Sequence, residues 1–212
     1  MREGPTDAAL LGAWQDGDRE AGHRLFRRHV RSISGFFRSK VGEAGEDLTQ
    51  KTFLALLEAP HRFEQRSSVR TYLFGIARRQ LLMYLRSSAT QNRRFDPATW
   101  SVVDAGMGPE RIATAQEEHA LLLRALGTLP VDYQVALELH YFEELPISEI
   151  AAVLEEPVGT LKSRLSRGRT LLRESLARHA PSGELETSVA GELDRWLRAL
   201  PNAIARSSSA AD

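Results

Sequence analysis

The sequence predicts an all-α protein: two small helical domains joined by a flexible linker, the second built around a helix-turn-helix. Three observations predict it. Apolar residues recur every three to four positions along most of the 212 residues, and no stretch alternates at the strand period. Residues 89–118 lose that period and carry Asn92, Pro97, Gly106, Gly108 and Pro109. Beyond them, a short apolar segment, a tight turn and a helix with an apolar back and a basic front follow one another, which is helix-turn-helix geometry. The resulting division is 1–88, an N-terminal helical domain; 89–118, a linker; 119–180, a helix-turn-helix domain; and 181–212, an amphipathic helix with a disordered tail.

Taken in order, Asp7 is placed to cap a short helix carrying Leu10, Leu11 and Trp14. Asp18 caps a longer one, whose apolar residues are Leu25, Phe26, Val30, Ile33, Phe36 and Phe37. Gly42 and Gly45 break the pattern, Asp47 restarts it through Leu48, Phe53, Leu56 and Leu57, and Pro60 stops it. After the loop HRFEQRSS, Ser68 caps a helix bearing Val69, Tyr72, Leu73, Ile76 and Leu85. The linker could reach about 100 Å if fully extended. Trp100, Val102 and Val103 are unusual in a solvated tether and are candidates for docking on a neighbouring surface.

Helices resume from Glu110 to Leu126, from Pro130 to about Phe142, and from Ile147 to Leu154. A turn at Glu155–Pro157 leads into a helix starting near Val158, because Pro157 loses little at a helix start. Leu161, Leu165, Gly168, Leu172 and Leu176 form one stripe on it, with Lys162, Arg164, Arg167 and Arg169 off that stripe. In the tail, Leu185, Val189, Leu193, Trp196, Leu197 and Leu200 recur at helical spacing. They form either a helix folded back on its own domain or a docking helix for a partner.

Composition narrows the function. The 28 Lys and Arg residues balance the 28 Asp and Glu residues, and there is no Cys. That excludes a disulfide scaffold, thiolate metal sites and a Cys nucleophile. No segment approaches the apolar length of a membrane span, and no signal-peptide pattern opens the chain. The expectation is a cytoplasmic protein without a membrane span. Neutrality is a cancellation. Arg62–Arg86 and Lys162–Arg178 each hold six basic residues against one acid, whereas Glu138–Glu156 holds six acids and no Lys or Arg. Basic segments of this kind suit a phosphate backbone, or are simply solvated helix faces. The six histidines are scattered, with no HExxH pair and no phosphate-binding glycine loop, so no enzyme, metal or cofactor is expected.

Two stretches carry a family resemblance. EDLTQKTFLALLEAPHRFEQRSSVRTYLFGIARRQLLMYLR, from Glu46 to Arg86, and LGTLPVDYQVALELHYFEELPISEIAAVLEEPVGTLKSRLSRGRTLLRESL, from Leu126 to Leu176, resemble the second and fourth regions of bacterial RNA polymerase sigma factors of the extracytoplasmic-function (ECF) group. The resemblance implies a transcription initiation factor that binds RNA polymerase core, directs it to promoters through minus-ten and minus-thirty-five elements, and promotes melting. A stand-alone helix-turn-helix regulator is the alternative, but it leaves the first stretch without a role.

The resemblance also implies roles for individual residues. Asp47, Leu48, Gln50, Phe53 and Leu54 match the helix that docks on the clamp helices of the largest polymerase subunit, with Lys51 standing where the family usually has an acid. Phe63, Arg66, Ser67, Arg70, Tyr72, Arg78 and Arg79 match the minus-ten loop and helix, where unpaired bases need apolar surfaces and phosphates need cations. Phe74 is either a further base platform or core. Thr160, Lys162, Ser163, Arg164, Ser166 and Arg167 match the minus-thirty-five reader. The family often has Gly at the positions of Glu144 and Glu155, so these two are strained if positive φ is required. The linker resembles the connector that threads the RNA-exit path. An anti-sigma factor commonly holds such proteins inactive. The acidic run is expected to face polymerase or solvent, and the chain alone to bind bulk DNA poorly.

Overall fold

The structure, a computed structural model, describes residues 4–58, 67–88, 96–103 and 117–179, together with 193–194 and 197–198. Among the described residues there are eight α-helices: α1 (Asp7–Gln15), α2 (Arg19–Val41), α3 (Ala44–Glu58), α4 (Val69–Ser88), α5 (Glu117–Gly127), α6 (Val131–Tyr141), α7 (Ile147–Leu154) and α8 (Val158–His179). The described residues form no sheet; the nearest thing is an isolated bridge between Ser101 and Pro130.

The first four helices pack in sequence, α1 on α2, α2 on α3 and α3 on α4. Their apolar faces meet in a core that includes Leu25, Ile33, Phe37, Leu56, Leu73 and Leu81. Asp18 caps α2 as its sequence position predicts, its Oδ1 accepting from the amides of Glu20 at 2.9 Å and Ala21 at 3.1 Å. Ser68 caps α4, accepting from the Thr71 amide at 3.1 Å. Two expectations shift. Thr6, not Asp7, caps α1, through the Ala9 amide at 3.2 Å. Asp7 instead reaches Arg28 at 2.7 Å and His29 at 2.6 Å on α2. Burial pushes its carboxyl up, but the hydrogen bonds from Arg28 and His29 and their charges outweigh it, and the net shift is downward. Helix α3 starts at Ala44, three residues before Asp47. Gly45 lies inside that helix, where a Cβ would approach Phe37 Cβ to 3.1 Å, so it permits close packing of α3 on α2 rather than breaking the helix.

The second set packs on α8, which touches α5, α6 and α7. Leu161, Leu165, Gly168, Leu172 and Leu176 are buried, as the stripe predicts, and Ser175 is buried beside them. Gly168 lets α6 approach: a Cβ there would meet Leu137 at 3.4 Å. The described part of α5 begins at Glu117, and residues 110–116 of the expected helix lie outside the described residues. The turns before and after α7 put Glu144 at φ 51° and Glu155 at φ 59°, the left-handed region that disfavours side chains. From the linker, Val102 is fully buried and Val103 is exposed. The Trp100 carbonyl accepts from the Val131 amide at 2.9 Å and the Pro97 carbonyl from the Asp132 amide at 3.1 Å, so this part of the tether is fixed to the start of α6. In the tail, Leu193 and Leu197 are buried. Asp194 accepts from the Tyr141 hydroxyl at 2.6 Å, and the Arg198 guanidinium lies 5.5 Å from the Tyr141 ring. The described tail residues are thus folded back on α6.

The two sets also meet. Helix α4 packs on α7, and α2 on α5. At the centre of the junction Lys40 of α2 is fully buried and paired with the carboxylate of Glu138 on α6. Its ammonium also donates to the Phe36 carbonyl at 2.8 Å and to Ser39 Oγ at 3.1 Å, using all three of its donors. Glu138 accepts in addition from Ser39 at 3.2 Å and from Gln134 Nε2 at 2.9 Å. Burial pushes the Lys40 ammonium below its ordinary value, and the Glu138 charge and hydrogen bond partly offset that.

Two predictions follow from this architecture. Glu155→Gly should stabilise the chain by about 1 kcal/mol, since it relieves a left-handed side chain and loses only a mainly exposed contact to Arg79 at 3.7 Å; the urea midpoint measures it, and a lower midpoint would contradict the assignment of strain. Lys40→Met or Glu138→Leu alone should cost about 3–5 kcal/mol, whereas the double variant should recover most of that loss. Additive losses in the cycle would show that the two groups are not a coupled pair.

Candidate nucleic-acid and polymerase interfaces

The clearest site is the outer face of α8. Thr160, Lys162, Ser163, Ser166 and Arg167 are all exposed, in the first half of the helix. The buried stripe fixes the opposite face on α5, α6 and α7. Helix α7 and the left-handed turn at Glu155 set the angle at which α8 leaves. This is a rigid presentation of two cations and three hydroxyls, the groups that pair with base edges and phosphates in a major groove. Arg164 differs from its neighbours. It is largely buried, pairs with Glu156, lies 3.9 Å from Asp132, and stacks over the Tyr133 ring at 5.0 Å. The face expected to hold six contact residues therefore presents five, because Arg164 folds inward to tie α8 to the turn and to α6.

The second surface is α4. Arg79 is exposed, Arg70 is partly buried and Arg78 is buried with 9% of its surface exposed. Tyr72 is half-buried against the core, and Phe74 is fully buried, edge-on to Phe36 with ring centroids 5.7 Å apart. Of the two readings of Phe74, core is the correct one. Ser67 is described and partly exposed; Phe63 and Arg66 lie outside the described residues.

Each described cation expected on α4 meets an acid of the other domain. Arg70 Nη2 donates to Glu143 at 2.5 Å, Arg78 Nη2 donates to Asp132 at 2.8 Å, and Arg79 lies 3.7 Å from Glu155. Ser68 Oγ donates to Glu149 at 3.0 Å, and Thr71 donates to the same carboxylate. Three acids of the run expected to face polymerase or solvent, Glu143, Glu149 and Glu155, instead lie against the basic helix, whereas Glu138 pairs with Lys40 of α2, Glu156 with Arg164 of α8, and Glu144 is exposed. The sequence reveals both charge segments, but their partnership depends on how α4 and α7 pack, which periodicity does not encode.

The third surface lies between α2 and α3. Of the five residues expected there, Leu48 and Phe53 turn into the core, whereas Asp47, Gln50 and Leu54 are exposed, Leu54 at 49%. Asp47 pairs with Lys51 at 2.6 Å one turn on, so its charge is neutralised within α3. Beside Gln50 and Leu54 an open apolar groove is lined by Trp14, His23 and Phe26. Phe26, expected in the core, is 40% exposed and packs on Phe53 with centroids 4.8 Å apart. Trp14 and Phe26 are the residues that sequence reasoning did not place here. The groove forms only when α1, α2 and α3 converge.

Comparison with known proteins gives the family and the fold. Residues 23–91 match the family model for Sigma-70 region 2, and residues 119–172 the model for Sigma-70, region 4. The chain is 28% identical over 182 residues to the ECF RNA polymerase sigma-E factors of Escherichia coli K12 and Salmonella typhimurium, covering 80% of this chain and 93% of theirs. It is 25% identical over 185 residues to that of Haemophilus influenzae. Its fold is similar to the sigma factor RpoE of Bartonella quintana, solved with the anti-sigma factor NepR, at TM-score 0.55 and 22% identity over 73% of this chain and 96% of that one. It is also similar to CnrH, solved with the cytosolic domain of CnrY, at TM-score 0.58 and 22% identity over 82% of this chain and 99% of that one. Among the described residues no helix is long and apolar enough to cross a membrane.

The internal role of Arg164 is testable without DNA. Arg164→Ala should destabilise the chain by about 1.5–3 kcal/mol, the range for hydrogen bonds to charged groups, whereas Arg167→Ala should leave the thermal midpoint nearly unchanged. Equal midpoints for the two variants would place Arg164 on the outer face after all.

Proposed function

The chain belongs to the sigma-70 family, in its ECF group of RNA polymerase sigma factors, and from that premise we propose how this transcription initiation factor divides its work. The groove between α2 and α3, with Gln50 and Leu54 at its edge, docks on the clamp helices of the largest core subunit. Apolar side chains that stand half-exposed in the free chain are suited to burial by such a helix pair.

Helix α8 anchors the complex at the minus-thirty-five element. The observation that carries this reading is the exposed row Thr160, Lys162, Ser163, Ser166 and Arg167 on a helix whose other face is fixed in the core. Lys162 and Arg167 can each pair with a guanine edge, a contact worth about 1–3 kcal/mol, and the hydroxyls can hold phosphates or bases. Helix α4 and the segment before it serve the minus-ten element: Arg70, Arg78 and Arg79 bind phosphates of the non-template strand, and the 61–68 segment with Phe63 receives an unstacked base. Capturing such a base favours the melted duplex, so opening requires no nucleotide hydrolysis by this chain. The linker follows the RNA-exit path. An anti-sigma factor restrains the chain in the cytoplasm until a signal arrives, a partner class suggested by the solved relatives. Cofactors play no part in these steps.

Run-off transcription with core polymerase on a library of promoter sequences tests the whole reading. Arg167→Glu should lower promoter-specific transcripts about five- to a hundredfold, with co-elution on core polymerase unchanged. If core binding fell in proportion, the division of labour between α8 and the α2–α3 groove would be wrong.

A further inference from the structure

We infer that the C-terminal tail is a tether on the DNA-reading helix: through the hydroxyl of Tyr141 it holds Arg169 back from the edge of α8 where that arginine would reach duplex phosphate. The inference rests on the reading of α8 as the helix that enters the duplex. What it adds is a role for a segment beyond residues 119–172, which match Sigma-70, region 4.

Up to residue 169, α8 carries Lys162, Arg164, Arg167 and Arg169, all off its apolar stripe. Only Lys162 and Arg167 of these are fully exposed. Arg164 is turned inward by Glu156, within the helix-turn-helix itself. Arg169 is half-buried and turned inward by a different device. Its Nη1 donates to the Tyr141 hydroxyl at 3.3 Å, and that hydroxyl donates to Asp194 Oδ1 of the tail at 2.6 Å. One phenol thus joins α6, α8 and the tail. Leu193 and Leu197, four apart, are buried and fix the tail segment on its domain. Asp194 and Arg198, also four apart, stay at the surface beside Tyr141, with the Arg198 guanidinium 5.5 Å from its ring. Burial, then the charges of Arg198 and Arg169, hold the neighbouring His140 imidazole below its ordinary value, so it stays neutral at pH 7. Asp194 supplies a negative charge to Arg169 as well as an acceptor to the phenol.

The position of Arg169 is what makes the tether matter. Seven residues, two helical turns, separate it from Lys162, so both lie along one edge of α8 with Ser166 between them. Freed, Arg169 would add a third cation to the exposed pair. Phosphate contacts raise affinity for any duplex without reading its bases. Holding Arg169 back keeps that sequence-independent contribution low and leaves discrimination to the exposed row that ends at Arg167. Buried leucines alone would hold the tail down. The polar chain from Asp194 goes further, to a cation on the DNA-reading helix.

The experiment measures the salt dependence of duplex binding by the full-length chain, with a short fluorescent DNA duplex of random sequence as the probe. Asp194→Asn and Tyr141→Phe break the polar chain at different links while nearly preserving shape. Each should steepen the slope of log affinity against log salt by about 0.9, the value for one further phosphate contact. In an Arg169→Gln background neither substitution should change the slope, because the cation that they release is gone. A merely structural tail would lower the thermal midpoint of the two variants without moving the slope. That result would overturn the inference, as would a steeper slope that persists without Arg169. The reading of α8 is checked separately by Arg167→Gln, which should flatten the wild-type slope by about the same amount. If Arg167→Gln moves the slope and the tail variants do not, the tether fails and the reading of α8 stands. If Arg167→Gln leaves the slope unchanged, the reading of α8 fails, and the tether with it.

Discussion

The buried pair of Lys40 and Glu138 is the constraint on which the rest of the arrangement depends. Two charges removed from water are costly unless every donor and lone pair finds a partner. Here Lys40 uses its three donors on Glu138, Ser39 and the Phe36 carbonyl, and its ammonium lies 3.9 Å from the centre of the Phe36 ring. Glu138 is completed by Gln134. Small displacements of α6 against α2 would leave an unpaired charge. The pair therefore favours one register of the two helix sets over near alternatives, and the more exposed pairs on α4 follow from that register.

The surfaces then sort by whether the packing of the two helix sets touches them. The outer face of α8 and the groove between α2 and α3 are open, whereas the cations of α4 meet acids of the second set. On α8 itself the flanking arginines also turn inward, Arg164 to Glu156 and Arg169 to Tyr141, so the exposed row is bounded on both edges.

Much of the fold was legible. Caps at Asp18 and Ser68, the turn at Glu155–Pro157 and the leucine stripe of α8 all act through neighbours close in sequence, and sequence reports them well. The misplacements have a common cause. Asp7 looks like a cap because its local position suits one, yet it is drawn to Arg28 and His29 on the next helix. Gly45 looks like a breaker, yet it is needed where α3 approaches Phe37. Phe26 has core periodicity but sits at the edge of the bundle, and Arg164 has the spacing of a contact residue but turns back to Glu156. In each case a partner outside the residue's own helix outweighed the local signal.

By itself the sequence determined the helices, the helix-turn-helix, the lack of thiol chemistry and the positions of the two basic segments and the acidic run. These depend on residue type and on a period of 3.6, both of which can be read along one dimension. Only the tertiary structure decided where the charges point. Lys40 and Glu138 are 98 residues apart, and Arg70 and Glu143 are 73 apart. Helix periodicity gives each residue a face but not the face it meets, so pairing between domains is set by the packing of whole helices, with the cost of an unpaired buried charge selecting among the ways they could pack.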